Sequence, residues 1–184
     1  MENHAEQAQG WGVFGLTGLV GESVRALLRP GDPLEWAVTR QPPTQADGLP
    51  WIVGSLPGLA DPPPVMAIAS LGPLDAFTDW FEASALAPRR LVVLGSTSRH
   101  GKAGSPDPDE RALAERLADC EARLAATCEQ RGSALTLLRP TLIWGRGRDR
   151  NLSRWVALAR RWRWLPLPHT ARGLRQPVHA ALPT

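Results

Sequence analysis

The sequence has no tyrosine, and Lys102 is its only lysine. Any chemistry that needs a tyrosine acid beside a lysine is therefore excluded. Cysteine is nearly absent as well. Cys120 and Cys128 lie eight apart on a predicted helix, about 12 Å along its axis, which is too far for a bridge. That usage fits a reducing cytoplasm. The four histidines and two cysteines show no metal-ligand spacing. There is no Gly-x-Ser-x-Gly elbow and no phosphate loop ending in lysine. No run is apolar enough to span a membrane, and residues 1–10 read as a polar, acidic, flexible start with no signal peptide.

What is present points to one globular domain. The chain has 184 residues, enough for a substantial core, and its apolar content of 43% is ordinary. Charge is unevenly spread. Residues 1–145 carry 12 basic and 17 acidic side chains, a net of −5, whereas residues 146–184 carry 9 and 1, a net of +8.

The organising stretch is Trp11-Gly12-Val13-Phe14-Gly15-Leu16-Thr17-Gly18-Leu19-Val20-Gly21. A short apolar run leads into glycines spaced three apart, and an amphipathic segment follows until Pro30-Gly31. The pattern predicts strand, tight turn and helix. Gly15 allows the turn, Gly18 lets backbone N–H groups approach a pyrophosphate at the helix N-terminus, and Gly21 lets helix and strand pack closely. The plain alternative is a glycine-rich connection with no ligand. The expected helix covers residues 19–29, with Val20, Val24, Leu27 and Leu28 sharing a face.

Further strands are expected at 34–39, 51–53, 65–69, 91–94 and 135–138, and further helices at 73–85 and 107–131. Leu113, Leu117, Cys120, Leu124 and Cys128 form the apolar stripe of the longest helix, and Gly132 stops it. Residues 41–48 and 61–64 read as Pro-rich loops. Strands alternating with helices at short spacing predict an α/β fold, a Rossmann-type doubly wound parallel sheet with helices on both faces. In such folds the residue after the second strand meets the adenosine ribose, where an arginine suits the 2′-phosphate of NADP. Arg40 ends that strand, 19 residues beyond Gly21. NADP is therefore expected as cofactor, with NAD as the alternative; a solvated strand-end arginine is the other reading of Arg40. Ser70-Leu71-Gly72 follows the fourth strand, on the side where a cofactor sits.

Gly15-x-x-Gly18-x-x-Gly21 after an apolar strand resembles the signature of the short-chain dehydrogenase/reductase superfamily, and most closely its extended branch, the NAD-dependent epimerase/dehydratase family. The resemblance runs over about residues 11–179. Arg139-Pro140 with Trp144-Gly145 is similar to that family's Arg-Pro…Tyr-Gly segment. Ser55-Leu56 falls where members often carry Asp-Leu against adenine. Gly95-Ser96-Thr97-Ser98-Arg99-His100-Gly101 is similar to Ser-Ser-x-x-x-Tyr-Gly. The resemblance implies cofactor contacts from Gly15, Leu16, Thr17, Gly18, Leu19, Val20, Gly21, Arg40, Ser55, Leu56, Ser70, Leu71, Gly72, Arg139 and Pro140. It puts Ser96 in the slot of the catalytic serine or threonine. It also implies an oxidoreductase or epimerase-like activity on a small or nucleotide-linked substrate.

The chain departs from the family where protons move. Glu121 matches the glutamate that follows the family's lysine by four residues. That places the lysine slot at Leu117 and the tyrosine slot at Leu113, neither of which can transfer a proton. His100 is the best substitute, since imidazole titrates near neutrality; a loop histidine without a role is the alternative. Ser96 could orient a carbonyl, or could simply satisfy local backbone groups. Two readings of function stand: an NADP-dependent reductase or epimerase of atypical chemistry, and a non-catalytic dinucleotide-binding protein acting as a redox sensor or assembly partner.

The last section, residues 146–184, opens with Arg146, Arg148 and Arg150 and continues as an amphipathic helix over 151–163. Its apolar side is Leu152, Trp155, Val156, Ala159 and Trp162. By the resemblance this is the start of a substrate-binding region, here ending early, whose arginines hold a diphosphate. A solvated basic face, a phosphate-bearing substrate or partner, and nucleic acid compete; no nucleic-acid motif is present. Neither nucleic acid nor membrane is expected as a partner, and exposed tryptophans on this helix would favour a homo-oligomer.

Overall fold

A computed structural model describes residues 9–41, 47–145, 149, 152–164 and 176–180. Six strands form one sheet: β1 Trp11–Phe14, β2 Leu34–Thr39, β3 Trp51–Val53, β4 Ala67–Ser70, β5 Arg90–Leu94 and β6 Ala134–Leu138. Their order is β3-β2-β1-β4-β5-β6 and every pairing is parallel. This is the expected doubly wound sheet. The order reverses between β1 and β4, so the carboxyl ends of those two strands diverge into a crevice.

Helix α1, Leu19–Leu27, packs on one face. Helices α2, Leu74–Ala83, and α4, Pro108–Arg131, pack on the other. A short helix α3, Ser98–Gly101, precedes α4. Alternation along each strand decides the layers. On β1, Val13 joins Leu16 and Ala37 beneath α1, while Phe14 points the other way. Phe14 there meets Trp36, Phe77 and Trp80, with ring centroids 4.7–5.4 Å apart. Burying each such ring contributes about 1.5–3 kcal/mol. The two buried indoles are also satisfied: Trp36 Nε1 donates to the Pro63 carbonyl and Trp80 Nε1 to that of Leu59, both at 2.9 Å.

Two arginines join α2 to α4. Arg123 pairs with Asp79 and Glu82 across the helix interface. Arg131, in the last turn of α4, donates to the carbonyls of Phe81, Glu82, Ser84 and Leu86, where α2 ends. Its guanidinium also lies 4.6 Å from the Phe81 ring centroid. Orphan carbonyls at a helix end are thereby closed by a cation from another helix.

Several details differ from the sequence-based expectations. Helix α1 ends at Leu27, and Leu27 is 56% exposed. The buried stripe runs through Gly21, Val24 and Leu28, so Leu27 falls on its solvent side. Leu142–Trp144 and Pro177–His179 are strands β7 and β8, which pair in parallel as a separate two-stranded sheet. β7 lies before the arginine-rich last section and β8 within it. Trp144 and His179 stack edge to face at 4.6 Å, which helps hold the pairing. The final helix, α5, spans Leu152–Trp162, and its Trp155, Val156 and Trp162 are exposed. One face of edge strand β6 is open too, with Leu138 47% exposed. Residues 1–8, most of the 41–48 loop, Arg146, Arg148, Arg150 and the last residues lie outside the described set. Both cysteines are free and buried, and burial pushes their thiols up. Among the described residues no helix is long and apolar enough to cross a membrane, and no group of side chains is arranged to hold a metal.

The turn between β1 and α1 leaves little room for side chains. Gly15 has φ +89°, a left-handed conformation. A Cβ on Gly21 would lie 2.0 Å from the Gly15 carbonyl oxygen and 2.5 Å from Leu16 Cα. On Gly18 it would meet only the Gly15 oxygen, at 3.2 Å. Gly21→Ala is therefore expected to lower stability by about 3 kcal/mol or more, and Gly18→Ala by about 1 kcal/mol or less. Urea denaturation of the two variants checks the contrast.

Candidate functional site

The divergence of β1 and β4 opens two cavities that share Leu71 and Gly72. One, of about 380 Å³, is lined by Gly15, Thr17, Gly18, Thr39, Arg40, Ser55 and Leu56 among others. The second, of about 300 Å³, is lined by Leu19, Val20, Leu74, Leu94, Gly95, Ser96, Leu117 and Ile143. Together they make one crevice along the carboxyl ends of the strands, with the N-terminus of α1 at its middle. The N-cap position of α1, Gly18, makes no side-chain cap bond; its N–H donates to Gly15 O at 3.0 Å, and the acidic residue of the first turn is Glu22. Helix α4, by contrast, is capped by Asp107, which accepts from Asp109 N at 2.9 Å. An uncapped first turn leaves donors and a positive dipole end free for an anion.

The expected site residues divide. Gly15, Thr17, Gly18, Arg40, Ser55 and Leu56 border one cavity; Leu19, Val20 and Ser96 border the other; Leu71 and Gly72 border both. Leu16 and Gly21 are buried beneath them and shape the turn. Ser70 is fully buried, on the Phe14 side of the sheet, and lines neither cavity. Arg139 does not face the crevice as a free cation. It is bound to Glu121, and Pro140 accepts from Thr97 N at 3.2 Å. His100 is exposed on α3 and is absent from the crevice lining. Ser96 Oγ accepts from Ser98 N at 3.1 Å.

The structural feature that sequence reasoning missed is the ion cluster at Glu121. This carboxylate is 3% exposed. Arg139 grips it with two bonds of 2.8 Å, and Arg99 pairs with it from α3. Burial alone would raise the carboxyl; the hydrogen bonds and charge of Arg139, with those of Arg99, outweigh it and hold the group below its ordinary value. The cluster ties the ends of β5 and β6 and the short α3 to α4. It also sits directly behind the crevice. A Cβ on Gly95 would come within 3.0 Å of Glu121 Oε1. With Glu121 so fixed, Leu117, one turn earlier on α4, faces the second cavity.

No family model matches the sequence. No curated protein matches it significantly either. Solved structures do. MoeE5, in complex with UDP-glucuronic acid and NAD, superposes with a TM-score of 0.69 at 20% identity, covering 94% of this chain and 68% of that one. UDP-N-acetylglucosamine 4-epimerase from Bacillus cereus gives 0.64 at 15% identity, over 95% and 68%. UDP-glucuronic acid 4-epimerase from Bacillus cereus, in complex with NAD, gives 0.60 at 12%, over 83% and 62%. These likenesses establish the fold: the Rossmann-type sheet on which dinucleotide-dependent epimerases are built.

Because Glu121 is held below 4.5, its contribution to stability is present above that value and is lost as pH falls through the folded-state value. Wild type should therefore lose stability in acid below about pH 4.5. Glu121→Gln should start about 3 kcal/mol less stable at neutral pH, with two arginines uncompensated, and show a flatter acid limb. Thermal melts of both proteins across that range check the difference.

Proposed function

We propose that this chain is a nicotinamide-dinucleotide-binding protein of the short-chain dehydrogenase/reductase superfamily, built on the epimerase/dehydratase plan, and that it takes NADP(H) in preference to NAD(H). The observation that carries this reading is the continuous crevice with an uncapped helix N-terminus at its centre. The residues present fit such a cofactor. The Gly18 amide is taken by Gly15 O, and the backbone amides of Leu19 and Val20, at the start of α1, are the ones offered to a pyrophosphate. Arg40, exposed at the end of β2, offers a guanidinium to the 2′-phosphate of the adenosine ribose. Ser55 and Leu56 flank the adenine side, and the second cavity takes the nicotinamide.

When bound, the cofactor supplies a hydride donor or acceptor. The chain's own part in a reaction is to orient the acceptor, and Ser96 is the side chain placed to hydrogen-bond a carbonyl there. The candidate activity is therefore atypical reduction or epimerase-like chemistry on a small or nucleotide-linked substrate, in the cytoplasm. A second reading, binding without turnover, is favoured by one observation: Ser96 is the single polar side chain among the residues lining the second cavity. Leu117 occupies the slot that the family gives to lysine, and the exposed His100 would have to move to replace the tyrosine.

Calorimetric titration is expected to give micromolar NADPH binding and weaker NADH binding. Gly18→Asp, which puts a carboxylate into the pyrophosphate position, should abolish both. Arg40→Asp should weaken NADPH by about tenfold to a hundredfold more than NADH. Equal losses for the two cofactors would remove Arg40 as the reader of the 2′-phosphate. Cofactor oxidation across a panel of carbonyl and sugar-nucleotide compounds separates the two readings: turnover supports the enzyme, and tight binding with none supports the binding protein.

A further inference from the structure

We propose that the nicotinamide end of the crevice selects the reduced, uncharged ring over the oxidised, cationic one, so that the chain reports the reduction state of the NADP pool. This rests on the dinucleotide reading above and adds to it a preference between the two forms of one cofactor.

The argument is electrostatic. Leu19, Val20, Leu74, Leu94, Leu117 and Ile143 supply the walls of this cavity. Its one polar side chain, Ser96, already accepts a bond from Ser98 N at 3.1 Å. A cation entering such a pocket loses hydration and gains no partner, whereas a neutral ring loses little. Sites that welcome an organic cation offer a carboxylate or an aromatic face. The lining residues include neither.

The fixed charges around the pocket act in the same sense. Glu121 stands behind Gly95, but two guanidiniums, those of Arg139 and Arg99, bind that one carboxylate. The cluster therefore carries a net charge of about +1 behind the cavity wall at Gly95, with both guanidiniums reaching partly into solvent. Leu19 opens α1 and Leu74 opens α2, and both line the same cavity, so two helix N-termini lie beside it, their positive ends partly offset by Glu22 and Asp75 in the first turns, neither of which lines the cavity. This field attracts the phosphates of either form of the cofactor. It opposes the positive charge that only the oxidised ring carries.

The preference has a consequence for the bound couple. A site that binds the reduced form tenfold more tightly raises the two-electron potential of that couple by about 30 mV. The complex then accumulates as the pool becomes reduced.

The test is equilibrium titration of the full chain with NADPH and with NADP⁺ at matched ionic strength. NADPH should bind about tenfold more tightly. Ser96→Asp keeps an acceptor for Ser98 N and adds a carboxylate to the wall; it should bring the two affinities close to equality. Ile143→Glu, on a different element, should act in the same direction. Equal affinities in wild type, tighter binding of NADP⁺, or an unchanged ratio in both variants would overturn the proposal while leaving the dinucleotide site standing. Absence of binding by both forms, and by 2′-phospho-ADP-ribose, would remove the site itself and the proposal with it.

Discussion

Among the described glycines the one with least room for a side chain is Gly21, where α1 meets the turn before it. Nothing larger than hydrogen fits at Gly21, because a side chain there would coincide with the Gly15 carbonyl. That contact draws the helix down onto β1 and brings its first turn to the end of the strand. The crevice exists because the helix is held there. β2 and β4 then diverge on either side of β1, and the cavities they leave meet at Leu71 and Gly72. A second fixed point, Glu121, serves the other half of the sheet. It is charged, buried and shared by two arginines from separate elements, so β5, β6 and α3 keep their places relative to α4.

The first half of the fold was legible in the sequence because its signals are local. β1, β2 and β3 lie where apolar runs and turn residues placed them; α2 is shorter than expected by one residue at its start and two at its end, and α4 by one at its start. The resemblance to the extended short-chain dehydrogenases led to the same sheet that the solved epimerase structures display. What stayed illegible is non-local. Arg139 reads as a cofactor contact when only Arg139-Pro140 is visible. Its true partner, Glu121, lies 18 residues earlier and on a different element. Ser70 reads as a crevice residue from its place at a strand end, yet strand alternation turns it toward Phe14. β7 and β8 have three residues each and form only with one another, so no periodicity announces them.

The crevice combines a turn set by glycine with a second cavity whose walls are largely apolar. The elements that cradle a dinucleotide depend on backbone geometry, and glycines at three positions are enough to specify them. In the family that the sequence resembles, proton transfer depends on two particular side chains, and the resemblance aligns both with leucines of α4. Leu113 and Leu117 keep the helix propensity and apolar character of α4's stripe, so the scaffold is indifferent to their loss of chemistry. Leu117 contributes to the apolar wall of the second cavity.

The capping of α2 by Arg131 has a bearing on how the molecule opens. The carbonyls that end α2 are bound by a side chain from the last turn of α4, and Arg123 adds a second link one helical stretch away. Neither helix end can fray without releasing the other. The two helices thus behave as one cooperative unit in hydrogen exchange, their amides sharing a single opening free energy. α1 and the turn below it lie on the opposite face, outside that unit. Opening of α1 breaks none of the Arg123 and Arg131 links that join α2 to α4.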